Sequence, residues 1–370
     1  MSTHKASTQN ANTGSGYILI SSLLILTTLT TIATYMMTRG SIFAPFIRTA
    51  QDREKAIAIA RGGIEVAIAQ LSRNYQESKK NDISTANNTG NTTKNAQHSE
   101  DYQFLTHILP TINRWQEYNL EEKADGIDAR MRICIMCEEG KININTAYDY
   151  TTKKFVGNWQ TIIQTVCTRI EQIQGGTRIF NALESFLNNR RYKLIDVTEL
   201  LHVKEFDIFR EHQTYEPPAP ATQDSQPIRM PKPIYLTDIF TVDTNTKIIN
   251  PWFFSNSLLA ILSLPAARHG DIQERIDNMS NWLKSAGPAK SWTTDWKTLL
   301  EPLYQKDLSQ LPENIASLFD TSARPRIFSV LSEGQVGTAT KRLFAILERK
   351  KYTHKNKIRY DVKLRKLYWL

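Results

Sequence analysis

An uncharged apolar run near the N-terminus constrains the fold of this 370-residue chain most strongly. Residues 17–37 read YILISSLLILTTLTTIATYMM and include no charged side chain. As an α-helix, this run spans about 30 Å, which matches the hydrocarbon core of a bilayer. It is longer than the apolar core of a cleaved secretory signal, which is about 7–15 residues. The run therefore predicts a membrane-spanning helix that the mature protein keeps.

A second helical pattern begins shortly after the apolar run. Residues 51–71 read QDREKAIAIARGGIEVAIAQL, an amphipathic pattern. Its apolar positions at helical spacing are Ile57, Ala60, Ile64, Ala67, Ile68 and Leu71. Pro45 lies between the two segments and predicts a kink or the end of the first helix. Two arrangements remain open: an anchor followed by an ordinary core helix, or one long helix that is half membrane-embedded and half packed on a globular head. The Gly62-Gly63 pair predicts a site of close packing within the helix.

Charge is distributed unevenly along the chain. Residues 341–370 carry eleven Lys or Arg and two acidic residues, which accounts for the net charge of +9. A solvated strand face is the first interpretation of this basic segment, an acidic partner surface the second and nucleic acid the third. Around the apolar run, one lysine precedes it and four Lys or Arg follow it closely. Taken alone, the positive-inside rule would place the bulk of the chain in the cytoplasm.

The chemistry-bearing residues form no recognisable catalytic pattern. The seven histidines are scattered, and no HExxH, GxSxG, Walker or GxGxxG motif occurs. Cys134 and Cys137 lie in a strand pattern, which points them to opposite faces, and Cys167 stands apart. This favours structural cysteines over a disulfide, and a disulfide over a metal site. The sequence therefore predicts a protein that is not an enzyme.

A compact motif follows the strand pattern at residues 129–137. After the turn Glu138-Glu139-Gly140, the chain reads KININTA, in which Asn145 or Thr146 is expected to cap a short helix. A related Lys-Ile-Ile-Asn recurs at residues 247–250. The matching positions of the first copy are Lys141, Ile142, Asn143, Asn145, Thr146 and Ala147.

These features resemble the general secretion pathway protein K family, the minor pseudopilins of type II secretion systems. In that family, a Gly-Lys-Ile-Asn-x-Asn-Thr-Ala signature leads from a strand into a helical insert. Gly16 before the apolar run resembles a prepilin cleavage site, so the resemblance implies that the mature chain begins at Tyr17, bears an N-methyl group and has Ser21 at its fifth position. The K family lacks the glutamate that most pilins carry there, which suits a subunit at the tip. The resemblance also assigns Leu19, Leu23, Leu26 and Ile32 to packing between helices of neighbouring subunits.

The resemblance implies an α+β fold: a pilin-like long N-terminal helix on an antiparallel sheet, with a large all-helical, SAM-like, tandem insert. The expected boundaries are a leader at 1–16, the long helix at 17–75, a loop at 76–100, the first part of the head at 101–141, a first insert subdomain with a proline-rich linker at 142–233, a second subdomain at 234–322 and the last strands at 323–370. Helices are expected at 159–173, 179–187, 256–264, 272–284 and 296–304. Residues 333–337, EGQVG, predict a glycine-bearing hairpin turn.

The function implied by the resemblance is structural. A K-type subunit would cap the tip of the pseudopilus, help to start its assembly and support export of proteins across the outer membrane. It would be a single-pass inner-membrane protein with its bulk in the periplasm. The implied partners are the minor pseudopilins I and J, the prepilin peptidase, the inner membrane, the major pseudopilin and the secretin. No cofactor is required; calcium suits the carboxylates at 138, 139, 238 and 243, although no ligand set follows from the motif.

A second reading is a membrane-anchored type IV pilus or competence minor protein that binds DNA. Residues 196–206, DVTELLHVKEF, resemble one half of a helical hairpin module, with Asp196 or Thr198 as the cap. DNA-binding hairpins use glycines where the backbone approaches phosphate, and this stretch has none. A packing module is favoured, and nucleic acid is not expected as a partner. A membrane enzyme with an unrecognised site is a third and weaker option.

Overall fold

A single long helix dominates the N-terminal part of the chain. The computed structural model describes residues 14–72, 104–105, 107–216, 233–246, 248–265, 276–278, 292–312, 315–319, 325–354 and 357–370. Helix α1, Gly14–Ser72, is one unbroken α-helix of 59 residues that contains Pro45. At about 1.5 Å per residue, it is about 90 Å long. The expectation that Pro45 ends the first helix is wrong. The proline removes one backbone donor, but the helical turns continue on both sides of it. In an apolar environment, the other backbone groups have no partners outside the helix, which favours its continuation.

Several expected segments fall outside the described residues. These are the leader apart from residues 14–16, the loop at 76–100, most of the linker at 212–233 and most of the helix expected at 272–284.

Nine strands are formed by the described residues. They are β1 (Trp115–Leu120), β2 (Ala129–Cys137), β3 (Ile142–Asn143), β4 (Tyr148–Asp149), β5 (Lys154–Phe155), β6 (Phe240–Thr241), β7 (Ile327–Val336), β8 (Ala339–His354) and β9 (Lys357–Trp369). Five of them form one antiparallel sheet in the order β1-β2-β7-β8-β9. Since β2 and β7 are neighbours, the chain leaves the sheet after β2 and returns beside it almost 190 residues later. The fold is α+β, as the sequence predicts.

The insert between β2 and β7 is mainly helical. The remaining helices are α2 (Glu122–Asp125) before the insert, and α3 (Ile144–Ala147), α4 (Trp159–Gln174), α5 (Ile179–Asn189), α6 (Leu236–Ile239), α7 (Asn256–Ile261), α8 (Trp292–Leu299) and α9 (Glu301–Tyr304) within it. The predicted helices at 159–173 and 179–187 are confirmed by α4 and α5. The insert is not all helical, because β3 pairs with β6 in parallel and β4 pairs with β5 in antiparallel fashion.

The C-terminal half of α1 packs on one face of the sheet, over β7, β8 and β2. Its buried positions are Ala56, Ala60, Gly63, Ile64, Ala67 and Leu71. The predicted core positions Ile57 and Ile68 are half-buried at the side of the helix, because the small residues four apart define the centre of the packed face.

The opposite face of the sheet carries a second apolar layer. Cys134, Met136, Leu331 and Phe344 pack there, with Tyr215 beside them. Cys137 belongs to the main core on the α1 side, so the two cysteines of the CxxC spacing point to opposite faces, as predicted. All three cysteines are free and buried. Burial raises the pKa of each thiol, which keeps it protonated and unreactive.

The predicted glycine turn at 333–337 is misplaced. Strand β7 runs through Gly334 to Val336, and the turn is formed by residues 337 and 338. Gly337 has a φ of 55°, a left-handed conformation that glycine adopts without cost. Gly334 has a different role, because it lies under α1.

Candidate functional site

The N-terminal half of α1 has no packing partner among the described residues. Every described side chain from residue 17 to residue 50 is exposed, including seventeen large apolar or aromatic ones between Tyr17 and Ile47. Within the described part of the chain, α1 is the one helix long and apolar enough to cross a membrane. An exposed apolar helix surface of this length requires an apolar environment, which a bilayer or neighbouring helices supply.

The many hydroxyl side chains of the apolar run do not make it polar. Thr31 Oγ1 donates to the Thr27 carbonyl at 2.7 Å, and Thr34 Oγ1 donates to the Thr30 carbonyl at 2.8 Å. Ser21, Ser22, Thr27, Thr28, Thr30 and Thr38 make the same kind of bond to carbonyls three or four residues earlier. Because each hydroxyl is satisfied within the helix, the segment presents few free donors to its surroundings.

The predicted processing residues lie at the start of α1. The helix begins at Gly14, so the bond between Gly16 and Tyr17 lies in its first turn. Tyr17 is exposed. Ser21 Oγ donates to the Ile18 carbonyl at 3.0 Å, so this position carries a self-satisfied hydroxyl and no charge.

The four predicted packing residues do not share one side of the helix. Leu19, Leu23 and Leu26 are spaced by four and three residues and therefore form one exposed stripe. Ile32 comes six residues after Leu26, a rotation of about 240°, and lies on another side. The three leucines are one candidate contact surface, and Ile32 is not part of it.

The packing of α1 on the sheet depends on two glycines. A Cβ on Gly334 would overlap the carbonyl oxygen of Ala56 and lie 2.7 Å from the amide nitrogen of Ala60. A Cβ on Gly63 would overlap Ser332 Oγ and lie 3.3 Å from Ile133 Cγ1. The close packing predicted for the glycine pair is therefore present at Gly63. At Gly62 it is absent, because an added Cβ would meet nothing within 4 Å.

Arg349 joins the C-terminal end of α1 to the sheet. Its Nε donates to the Leu71 carbonyl at 3.0 Å, which satisfies one of the free carbonyls of the last helical turn. Its guanidinium carbon lies 3.6 Å from the ring centre of Phe104 and 3.4 Å from that of Tyr360. A buried cation between two aromatic faces at a helix C-terminus fixes the position of the helix on the sheet. The sequence gives no signal for this role, because Arg349 is one of many basic residues in the C-terminal segment.

A buried polar cluster closes the base of the insert. Glu138 forms an ion pair with Lys141 at 2.5 Å and accepts a hydrogen bond from Thr241 Oγ1. Lys141 Nζ also donates to Ser329 Oγ at 3.0 Å. These contacts join the start of the insert to β6 and to β7. The Lys141 side chain is fully buried, so the lysine of the motif is a structural cation and not a surface charge.

Glu139 ties the two ends of the insert together. Its Oε1 accepts hydrogen bonds from the amides of Arg326 at 2.9 Å and Ile327 at 3.0 Å, where β7 begins. Cys137 Sγ donates to its Oε2 at 3.2 Å. Burial raises the pKa of Glu139 to about 7, while the backbone donors oppose this shift. We call Glu138, Glu139 and Lys141 the insert clasp. The neighbouring Gly140 admits no side chain, since a Cβ there would overlap the Phe253 carbonyl.

The motif that follows the clasp organises the first insert helix. Asn143 is the N-cap of α3, because its side chain accepts from the Asn145 amide at 2.9 Å. The prediction that Asn145 or Thr146 caps this helix is wrong, since the chain turns two residues earlier. Asn145 Nδ2 instead donates to the Leu194 carbonyl at 2.8 Å and its Oδ1 accepts from the Leu194 amide at 2.9 Å. Thr146 Oγ1 donates to the Asn143 carbonyl at 3.1 Å.

The other motif positions are apolar contacts. Ile142 and Ala147 are buried in the main core. Thus Lys141 to Ala147 connect the head, α3 and the loop at Leu194.

The second copy of the motif repeats the cap. Asn250 accepts from the Trp252 amide at 3.1 Å, at the start of the short 3-10 helix Pro251–Phe253. Its own amide donates to the Glu139 carbonyl at 2.7 Å. Asn143 and Asn250 therefore each cap the short helix that follows them. Lys247 of this copy lies outside the described residues.

The carboxylates considered for calcium have protein partners. Asp238 Oδ2 accepts from the Ser257 amide at 2.7 Å, and Asp243 forms an ion pair with Lys366 at 2.7 Å. Among the residues that the structure describes, no group of three or more His, Cys, Asp or Glu side chains could hold a metal ion.

The module at residues 196–209 packs against the insert helices α5 and α6. Asp196 caps the 3-10 helix Val197–His202 in a capping box with Glu199, which confirms the predicted cap. The second 3-10 helix, Lys204–Phe209, follows after Val203. No glycine exposes the backbone between them, and Phe206 and Phe209 are buried.

Comparisons with known proteins include a distant structural match. No family model and no curated protein matches the chain. A solved structure of the GspK-GspI-GspJ complex of the type 2 secretion system from enterotoxigenic Escherichia coli contains a similar chain. The identity is 11%, the match covers 75% of this chain and 94% of that chain, and the TM-score is 0.38. A likeness of this size establishes no family, so the function is argued from the geometry above.

Proposed function

We propose that this protein is a membrane-anchored minor pseudopilin of the K type, which sits at the tip of a type II secretion pseudopilus. In this role it is a structural, protein-binding subunit and not an enzyme. It initiates assembly with I- and J-type minor pseudopilins and supports protein export across the outer membrane. Its single membrane helix lies in the inner membrane, with the head in the periplasm.

The observation that carries the proposal is the division of α1 into two halves. Residues 17–50 expose an apolar surface, whereas the second half buries a line of small residues against a five-stranded antiparallel sheet. A simple anchor would need no continuous helix between membrane and head. One stiff helix of 59 residues keeps the head at a fixed distance and rotation from its membrane segment. A filament subunit needs this rigidity, because its neighbours contact both halves.

The tip position is supported by Ser21. A glutamate at the fifth position of a mature pilin helix would pair with the N-terminal amine of a neighbouring subunit. Ser21 has no charge, and its hydroxyl is bonded to the Ile18 carbonyl. Because Ser21 is uncharged, it needs no cation from a neighbouring subunit. A subunit with serine at this position can therefore lie at the tip, with no neighbour above it.

The insert clasp supports a role for the insert in partner contacts. Glu139 and Lys141 hold both ends of the insert against β7, so that the insert is attached firmly to the sheet. We assign the contacts with I- and J-type subunits to the exposed stripe of Leu19, Leu23 and Leu26 and to the head. The insert is the surface we assign to the secretin or to exported proteins.

The decisive test is the intact mass and N-terminal sequence of the protein isolated from its native membrane. We expect a chain that starts at Tyr17 and carries one extra methyl group. A Gly16→Val variant should stay unprocessed. A Gly14→Val variant, altered in the same turn but not at the bond, should be processed normally. A wild-type chain that still starts at Met1 would refute the proposal.

Topology is tested with a cysteine that a membrane-impermeant maleimide can reach. The three native thiols are buried, so they give little background. Lys154 is exposed on β5, and we expect a Lys154→Cys variant to be labelled from the periplasmic side of intact cells with a permeabilised outer membrane. Labelling only after the inner membrane is broken would favour the orientation given by the positive-inside rule and would exclude a pseudopilin.

Co-purification separates the proposal from the DNA-binding alternative. After mild solubilisation, I- and J-type pseudopilins should remain with the tagged chain. Binding to duplex DNA at physiological salt, with no pseudopilin recovered, would favour the competence-type reading instead.

A further inference from the structure

Strand β9 forms one edge of the five-stranded sheet, and its two faces differ in chemistry. The strand has thirteen residues, and β8 is its neighbour on one side. The described residues place no strand on its other side. The outer edge therefore presents backbone N–H and C=O groups that another strand can pair with.

The face of β9 that points toward α1 is apolar. Pairing with the inward residues of β8 puts Val362 opposite Arg349, Leu364 opposite Leu347, Leu367 opposite Ala345 and Trp369 opposite Leu343. Helix α1 covers mainly β7 and β8 and has fewer contacts with β9, among them Arg61, whose Cζ lies 5.1 Å from the ring centre of Trp369. As a result, Leu364, Leu367 and Trp369 are 48%, 40% and 50% exposed. We call these three residues the apolar stripe.

The other face of β9 is basic. Arg359 and Lys363 are exposed there, and Lys363 lies opposite Glu348. Glu348 is shared with Lys350 at 3.1 Å and Arg365 at 3.0 Å. Asp361, which lies between Arg359 and Lys363 on this face, is the one acidic residue of β9, against five Lys or Arg.

The insert covers one end of the basic face and leaves the other end open. Lys366 Nζ pairs with Asp243 at 2.7 Å and donates to the Ile195 carbonyl at 2.6 Å. Arg365 donates to the Asp243 carbonyl at 3.0 Å. Arg365 and Lys366 are thus bound to the insert, although Arg365 keeps part of its surface exposed, whereas Arg359 and Lys363 are exposed toward the other end of the described part of β9.

We propose that the outer edge of β9 binds a β-strand of a partner protein in which acidic and apolar residues alternate. Such a strand would extend the sheet by one strand. Its apolar side chains would lie beside the apolar stripe, and its carboxylates would lie beside Arg359 and Lys363. This inference rests on the sheet of the head alone and goes beyond the proposed function.

Charge argues against a second copy of this chain as the occupant. Two β9 strands side by side would bring together ten Lys or Arg and only two Asp, so even with Asp361 paired to a cation most of the charges would repel, and like charges on neighbouring strands are unfavourable. The same basic residues that prevent self-association leave the edge open to an acidic strand. Main-chain bonds would provide affinity, and the alternation of side chains would provide specificity.

The test uses the full chain in detergent micelles and three fluorescent ten-residue peptides. The probe peptide alternates Glu and Val. One control peptide alternates Lys and Val, and the other contains five Glu followed by five Val. Fluorescence anisotropy gives the dissociation constants, and hydrogen exchange reports which amides become protected. We expect the Glu-Val peptide to bind at least tenfold more tightly than either control and to protect amides of β9.

A charge-swapped variant provides the matched comparison. Arg359→Glu combined with Lys363→Glu should weaken the Glu-Val peptide by about tenfold or more and strengthen the Lys-Val peptide. The control combines Lys154→Glu with Lys193→Glu, two exposed lysines of the insert. It has the same net charge and should change neither affinity by more than about twofold.

Four outcomes would overturn the inference. The first is equal binding of the alternating and block peptides, and the second is an unchanged affinity in the charge-swapped variant. The third is protection of amides away from β9. The fourth is a tighter complex after residues 77–99 are deleted, since this would make the chain itself the occupant of the edge.

Discussion

Gly334→Ala tests whether the sheet holds α1 by close backbone contact. The added Cβ would overlap the Ala56 carbonyl oxygen and lie 2.7 Å from the Ala60 amide nitrogen. Both atoms belong to the helix backbone and cannot rotate away, so the helix itself must move. Overpacking of this kind costs about 1–3 kcal/mol. Replacing glycine by alanine within a strand stabilises the folded state by roughly 0.5–1 kcal/mol, because alanine loses less backbone entropy on folding. Because the overlap is with backbone atoms, the upper part of the overpacking range applies, and we expect a net loss of about 1–2 kcal/mol.

Thermal unfolding of the detergent-solubilised chain, followed by circular dichroism, measures this loss. A change of 1 kcal/mol shifts the Tm by about 2–4 °C in chains of 150–250 residues, so a decrease of about 2–5 °C is expected here. Hydrogen exchange should also become faster in β7 and in the second half of α1, where the contact is weakened.

Gly62→Ala is the matched control for this experiment. The residue lies one position from Gly63 in the same helix, but an added Cβ meets nothing within 4 Å. This variant should be more stable than wild type by up to about 1 kcal/mol, because alanine favours the helix. If Gly334→Ala also raised the Tm, or left hydrogen exchange in β7 and α1 unchanged, the close contact between Gly334 and α1 would not be what holds the helix on the sheet.

Three further predictions concern buried charges. The raised pKa of Glu139, about 7, means that the folded state holds this proton more tightly than the unfolded state, whose value is near 4.5. Stability should therefore fall by up to about 3 kcal/mol as the pH rises from 4.5 to 7, and Glu139→Gln should flatten this part of the curve of unfolding free energy against pH. Lys141→Met leaves Glu138 buried without its cation and should cost about 3–5 kcal/mol in urea unfolding, while adding Glu138→Gln should recover much of that loss. Arg349→Lys loses the planar contact with two rings and should cost about 1–2 kcal/mol, whereas the exposed Arg359→Lys should leave the Tm unchanged.

Features that depend on residues close together in the sequence were predicted correctly. The Asp196 cap and the helices α4 and α5 follow from neighbouring residues, and all were predicted from spacing and capping chemistry. The opposite orientation of Cys134 and Cys137 follows from the two-residue period of a strand. Local geometry alone decides these features.

The errors have a common physical origin. Gly334 was assigned to a turn because glycine usually marks one, but its role comes from a helix more than 270 residues earlier in the chain. Asn145 or Thr146 was expected to cap the short helix, but the side-chain amide of Asn145 is bonded to Leu194 and Asn143 is the cap. In each case a contact with a distant part of the chain decides the role of the residue. The sequence does not show which distant segments come into contact.

The α+β class was implied by the family resemblance. The sequence by itself determined the apolar helix, the amphipathic helix after it and the opposite orientation of Cys134 and Cys137. These depend on composition and on periods of 2 and 3.6 residues, which are local properties. The tertiary structure alone decided that Lys141 is buried beside Glu138, that Glu139 joins both ends of the insert and that Arg349 closes the end of α1. The reason is physical: a charged side chain is placed by the partners that offset its desolvation, and those partners come from distant segments that only folding brings together.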